Sequence, residues 1–132
     1  TRCSHVTGVQ TCALPIYTLV DDWGLYNREC VSYAAWKVAS TNRFVPHFGG
    51  AGNANQWPGT TSRYGIKNGS TPVAGSVAIQ YVGIYGHAMY VEAVNGDGTI
   101  TVSDYNNNSD GLGWGRYHYY TRSAAGLTYI YF

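Results

Sequence analysis

A predicted β-hairpin constrains the fold of this chain more than any other feature. Residues 87–94 and 99–105 alternate between apolar and polar side chains, and Asn95-Gly96-Asp97-Gly98 between them is a strong turn signal. A two-residue Asn-Gly turn would place His87 opposite Asp104, whereas a four-residue loop would place His87 opposite Asn106. Because side chains alternate across a strand, both registers put His87, Asp104 and Asn106 on one face of the sheet.

The strand face that carries His87 also carries apolar residues. These are Met89, Val91, Ala93, Ile100 and Val102. The strongest helix signal covers residues 30–39 (CVSYAAWKVA), in which apolar residues recur at helical spacing. We therefore expect this helix to pack on the His87 face, with Cys30 at its N-terminus beside the imidazole. Further strands are predicted at 76–81 and 127–132, and one helix followed by antiparallel strands indicates an α+β fold.

Cys30 and His87 are the predicted nucleophile and base of a cysteine amidase. A thiolate is favoured by a helix N-terminus and by a protonated histidine. Asp104 would orient the imidazole, and Asn106 would either hydrogen-bond the imidazole or donate to an oxyanion. The backbone N–H of Cys30 is a further oxyanion donor. His47, in a Pro/Gly-rich loop, is the alternative base, although it has no strand partner.

The first sixteen residues differ from the rest of the chain. Residues 6–16 (VTGVQTCALPI) match, residue for residue, the in-frame translation of a common sequencing-library adapter. We therefore expect residues 1–16 to be foreign and residues 17–132 to form one catalytic domain. On this interpretation Cys3 and Cys12 are not native, Cys30 is the only native cysteine, and the natural N-terminus, with any signal peptide, is missing.

Composition narrows the function classes. The formal net charge is +1 with no Lys/Arg run, so nucleic-acid binding is not expected. No apolar stretch approaches the roughly 20 residues of a membrane span. Asp21 and Asp22 suggest a calcium loop, but Trp23 and Leu25 occupy positions that alternating oxygen ligands would need. We expect no metal and no cofactor.

Aromatic residues outside the predicted strands are candidates for substrate binding. Residues 46–75 hold three of the four prolines and predict a long loop with a short helix at 53–57. Trp57 and Trp114 either line a substrate groove or pack in the core. A wide groove lined by Trp57, Tyr64 and Trp114 would favour a polymer, and a closed pocket a small molecule. His118 is expected to be a surface strand residue.

Several segments together resemble the CHAP family, the cysteine, histidine-dependent amidohydrolases/peptidases. They are WGLYNRECVSYAAWKVA (23–39), PVAGSVAI (72–79), YGHAMYVEAVNGDGTITVSDYN (85–106) and GLTYIYF (126–132). The resemblance implies a papain-like α+β fold in which the helix that bears the nucleophile packs on an antiparallel sheet. Cys30, His87 and Asn106 match family positions, Asp104 stands where Glu is common, and Glu29 stands where many members have Gln.

The resemblance implies hydrolysis of amide bonds in bacterial peptidoglycan. The enzyme would be an N-acetylmuramoyl-L-alanine amidase or an endopeptidase of the stem peptide or cross-bridge, secreted or wall-located, and a monomer. One alternative is an inactive wall-binding module, against which the intact set of Cys30, His87, Asp104 and Asn106 argues. Another is a cysteine amidase that acts on small soluble amides.

Overall fold

The computed structural model describes residues 19–108 and 111–132. The predicted adapter-derived segment lies outside these residues. The described residues contain two α-helices, α1 (Cys30–Ala39) and α2 (Trp57–Ser62), and a 3-10 turn at Ala54–Gln56 precedes the second. The strands are β1 (Lys67–Gly69), β2 (Val77–Gln80), β3 (His87–Val94), β4 (Thr99–Tyr105), β5 (Tyr117–Ser123) and β6 (Thr128–Tyr131). No helix in the described part of the chain has the length and apolarity to cross a membrane.

All six strands form one antiparallel sheet, and this confirms the predicted α+β class. The strand order is β1-β6-β2-β3-β4-β5. The predicted hairpin is present with the predicted bounds, as β3 and β4. The short strand β1 lies inside the segment that was predicted to be loop, where its backbone pairs with β6.

The hairpin follows neither predicted register along its whole length. Asn95 N donates to Thr99 O at the turn, and Val94 pairs with Ile100. The register then shifts between Val91 and Ala93, so that Val91 pairs with Val102, as a four-residue loop would require. The irregularity is a β-bulge, which adds one residue to one strand.

Helix α1 packs on the sheet face opposite to the one predicted. Its buried side chains Val31, Ala34, Ala35 and Val38 share a core with Val77, Ile79, Ala88, Tyr90 and Ile130. The apolar row that includes Met89, Val91, Ile100 and Val102 forms a second core on the other face, with Leu127 and Tyr129. Tyr90 explains the error, because its ring is buried while its hydroxyl accepts a hydrogen bond from Arg43 at 3.4 Å. Tyr90, which the alternating pattern groups with polar residues, therefore belongs to the core between α1 and the sheet.

The predicted short helix at 53–57 is present and continues as α2 to Ser62. Trp57 begins α2 and has no exposed surface. Its ring stacks on Phe48 with a centroid distance of 4.3 Å, and its Nε1 donates to Gly52 O. The prediction that Trp57 lines a substrate groove is therefore wrong, because its side chain is buried in the core and packs against Phe48 of the long loop.

Candidate active site

The segment that precedes Cys30 is held by a buried carboxylate. Asp21 accepts hydrogen bonds from the backbone N–H groups of Trp23 and Leu25, at 2.9 Å each, and from Ser32 Oγ at 2.6 Å. These bonds fix the loop against the first turn of α1. Asp21 thus has a structural role in shaping this loop.

Cys30 is the first residue of α1. The first backbone bond of the helix runs from Tyr33 N to Glu29 O, so the N–H groups of Cys30, Val31 and Ser32 precede the helical ladder. Such groups give a helix N-terminus its positive partial charge. The local electrostatics therefore favour an anion beside the Cys30 side chain.

Two side-chain contacts join the segment before Cys30 to the end of β4. Arg28 Nε donates to the Tyr105 hydroxyl at 3.0 Å, and Asn106 Nδ2 donates to Glu29 Oε2 at 2.7 Å. Asn106 Oδ1 accepts from the backbone N–H of Gly115. Asn106 therefore does not bond the imidazole, which was one of its two predicted roles. It anchors the cysteine segment and the β4–β5 loop instead.

His87 is the first residue of β3 and lies beside the N-terminus of α1. Its Nε2 lies 2.7 Å from Asp104 Oδ2, and Cys30 is close enough on the ring's other side to contribute to the raised pKa of His87. Because Nε2 faces Asp104, Nδ1 is left for the sulfur. Gly86, with a φ of 75°, lies so close to the Asn55 backbone that a Cβ there would come within 2.9 Å of Asn55 N. Glycine at this position lets the chain turn into His87.

Asp104 is fully buried and accepts several hydrogen bonds. Oδ2 also accepts from Tyr120 Oη at 2.8 Å and Asn107 Nδ2 at 3.1 Å, and Oδ1 lies 3.2 Å from His118 Nδ1. His118 is therefore not the surface residue that was predicted, because its side chain is only 11% exposed and points inward. These donors keep a buried carboxylate satisfied and fix its orientation toward His87.

The hydrogen bonds in this cluster favour a charged pair. Burial alone would lower the pKa of His87, but its bonds and charge interactions with Asp104 and Cys30 together raise that pKa to about 9. Burial alone would raise the pKa of Asp104, but the bonds from His87, Asn107 and Tyr120 and the imidazolium charge lower it. The arrangement therefore stabilises an imidazolium next to an ionised Asp104 at neutral pH.

The raised pKa of His87 predicts a pH-dependent stability. The ordinary value is 6.5, so the protonated imidazole contributes stability that is fully present below about pH 6.5 and is lost as pH rises through about 9. We expect the melting temperature to fall across this window. His87→Gln, which cannot titrate there, should show a flatter profile. NMR titration of the imidazole should give a midpoint near 9, and a midpoint below 7 would contradict the geometry.

An open cavity of about 1100 Å³ lies over Cys30 and His87. Trp114 lines the cavity and is 67% exposed, and its role in substrate binding stays a prediction. Tyr64 does not line it and instead packs beside Phe44. His47 is exposed, accepts a bond from Gly49 N through Nδ1, and is likewise outside the cavity lining. The structure thus pairs Cys30 with His87 rather than with His47.

The loop between β2 and β3 forms an apolar wall of the same cavity. Val82, Ile84 and Tyr85 line it, and Ile84 is 77% exposed. This loop is not among the site residues predicted from the sequence. Its large apolar side chains directly before His87 were the feature that could have identified the loop as part of the site.

Comparison with known proteins identifies the family. Residues 20–106 match the CHAP domain. The chain belongs to the CHAP domain family. The match begins before Cys30 and ends at Asn106, so it contains both of these residues and also His87 and Asp104.

Curated relatives of this CHAP domain include the N-acetylmuramoyl-L-alanine amidase sle1 of Staphylococcus aureus strains USA300 and NCTC 8325. Each is 46% identical over 54 residues, which are 41% of this chain and 16% of the relative. The chain therefore spans about a sixth of these relatives.

A solved structure has the same fold. The 2.15 Å crystal structure of an N-acetylmuramoyl-L-alanine amidase from Staphylococcus aureus superposes with a TM-score of 0.70 at 24% identity. The superposition covers 89% of this chain and 34% of the solved one. This similarity supports the architecture of helix and antiparallel sheet described above.

Proposed function

We propose that this CHAP domain hydrolyses amide bonds of bacterial peptidoglycan through a cysteine nucleophile. The observation that carries the proposal is the imidazole of His87, which is hydrogen-bonded to the buried Asp104 and interacts with Cys30 in the lining of one cavity. The family and the N-acetylmuramoyl-L-alanine amidases among the relatives supply the substrate class. A protein with this activity acts at the bacterial cell wall, so we also propose a secreted or wall location.

The proposed reaction is acyl transfer in two stages. The Cys30 thiolate attacks the scissile carbonyl carbon, and His87 passes its proton to the departing amine. His87 then takes a proton from a water molecule as its oxygen attacks the thioester, which releases the acid and regenerates the Cys30 thiolate beside the imidazolium. Asp104 holds the ring in the correct tautomer and stabilises its charged form. Backbone N–H groups at the start of α1 would donate to the tetrahedral oxyanion.

Asn106 and Glu29 act in this proposal as positioning residues. Asn106 donates to Glu29 and so holds the residue that immediately precedes the nucleophile. Burial raises the pKa of Glu29 above its ordinary value although the Asn106 bond opposes this. An ionised carboxylate cannot donate a hydrogen bond, and its charge would oppose a nearby oxyanion. A glutamine, common at this position in the family, would have neither drawback.

Glu29→Gln is expected to increase amidase activity. The glutamine oxygen can still accept the bond from Asn106, while its amide donates toward the reacting carbonyl. We expect kcat/KM at pH 7 to rise several-fold, because one added hydrogen bond in the transition state would lower the activation free energy by roughly its net contribution. Glu92→Gln is the matched control, because Glu92 faces α1 and pairs with Lys37 at 3.3 Å. A decrease in kcat/KM for Glu29→Gln would show that the carboxylate itself is needed.

The cavity favours a polymeric substrate over a small soluble amide. Its rim side chains Ile84 and Trp114 are largely exposed, and a groove of this kind leaves room for a chain to pass. Tyr26, 57% exposed, extends the rim beside Glu29. An enclosed pocket would instead surround a small ligand on most sides.

Digestion of purified peptidoglycan tests the proposed function. Products released by the protein would be separated and identified by mass spectrometry, with the Cys30→Ala variant as the control. New N-terminal alanine beside intact muramic acid would identify the amidase reaction, and new termini within the stem peptide or cross-bridge would identify an endopeptidase. If the protein released no more product than Cys30→Ala, the proposal would fail.

A further inference from the structure

Arg122 is the charged residue of the cavity whose role the proposed mechanism leaves open. Apart from Cys30 and the tyrosines, three charged or titratable side chains line the described part of the cavity. They are those of Glu29, His87 and Arg122. Glu29 is hydrogen-bonded to Asn106, and His87 is hydrogen-bonded to Asp104 and interacts with Cys30. Arg122 is half-buried on β5 and takes part in neither of these contacts.

The contacts of Arg122 are all with neutral acceptors. Nη1 lies 3.3 Å from Gln80 Oε1 and 3.7 Å from Met89 Sδ, and Nε donates to Ser123 O at 3.2 Å. Within residues 19–108 and 111–132, the ion pairs within 4.0 Å do not include Arg122. A guanidinium has five N–H donors in a planar fork that fits a carboxylate, and a partly desolvated cation gains most from such a partner.

Arg122 lies close to the reacting groups. It follows Tyr120 by two residues on the same face of β5, a rise of roughly 7 Å along the strand. Tyr120 donates to Asp104, and Gln80, which accepts from Arg122, is the strand partner of His87. Arg122 and Cys30 line the same cavity, so a substrate whose scissile amide lies at Cys30 can also place an anion on Arg122.

We propose that Arg122 binds a carboxylate of the substrate peptide, and that the preferred substrate is therefore an acidic stem peptide. The inference rests on the proposed function. If the scissile amide joins muramic acid to L-alanine, the nearest free carboxylate of the stem peptide is that of the D-glutamate residue, one residue further along. Amidation of that carboxylate removes the charge and one side of the bidentate contact.

Two synthetic muramoyl peptides that differ only in this group test the inference. One carries D-glutamate with its carboxylate free and the other carries it as the carboxamide. We expect the protein to cleave the free acid with at least a tenfold higher kcat/KM, mainly through a lower KM. Arg122→Gln should remove this preference, and Arg122→Lys should retain part of it. Arg63→Gln, an exposed arginine outside the cavity, should behave like the unaltered protein.

The outcomes separate this inference from the proposed function. Equal cleavage of both peptides by the unaltered protein, or an equal loss on both in a folded Arg122→Gln variant, would overturn the carboxylate site alone. Binding of each peptide to Cys30→Ala, measured by calorimetry, gives a second readout that does not depend on turnover, and equal affinities would also overturn it. Failure of the unaltered protein to cleave the peptides while it digests peptidoglycan would overturn this inference alone, and failure on peptidoglycan as well would overturn the proposed function with it.

Discussion

Cys30→Ala is expected to abolish peptidoglycan cleavage, with a loss in kcat of at least about a thousandfold. The alanine variant keeps the helix N-terminus and the His87–Asp104 pair but has no atom that can form the thioester. The residual rate would come only from substrate binding and the oxyanion donors. Release of soluble muropeptides from purified walls, followed over time, measures the loss.

The Cys30→Ala variant should remain folded. The buried side of α1 is built by other residues, and Cys30 itself is only partly buried. We expect its melting temperature to stay within a few degrees of the unaltered protein, because no large core cavity is created. A variant that is folded and still lytic would contradict the cysteine mechanism.

Asp104→Asn is expected to have the second largest effect, a loss in kcat on the order of a thousandfold or more. The asparagine amide either presents an N–H to His87 Nε2 or loses part of its bonding to Tyr120, Asn107 and His118. In the first case the ring takes the tautomer that cannot accept a proton from the thiol. The pKa of His87 should also fall, because the bond and charge of Asp104 both raise it.

Asp97→Asn is the matched control for Asp104→Asn. Asp97 lies in the exposed turn between β3 and β4, where it accepts bonds from Thr99. Its replacement should leave activity unchanged. If Asp104→Asn retained most of its activity while the imidazole midpoint stayed near 9, Asp104 would not orient His87.

The hairpin could be predicted from the sequence because the residues that specify it lie within the hairpin itself. Alternating side chains and the Asn-Gly-Asp-Gly turn fix the bounds of β3 and β4, and side-chain alternation places His87 and Asp104 on one face. The contact between His87 and Asp104 follows from this, although the bulge near Glu92 changes the register within the hairpin. A bulge has no comparable sequence signal.

The remaining features depend on tertiary packing. The sheet has cores on both faces, so an apolar row on one face does not identify the face that receives α1. On β5 the inward residues are His118, Tyr120 and Arg122, which resemble solvent-facing residues in the sequence because their polar groups bond to other residues at the site. Their bonds to Asp104 and Gln80 become visible only when β4 and β5 pair.

The location of β5 at the end of the strand order links activity to local stability. This edge strand supplies Tyr120 and His118 to Asp104, and within residues 19–108 and 111–132 no strand pairs with its outer side. Edge strands open at a lower free energy than central strands. Mild denaturant should therefore inactivate the protein before the helix and central strands unfold. The enzymatic rate should fall at a lower denaturant concentration than the circular dichroism signal of the whole fold.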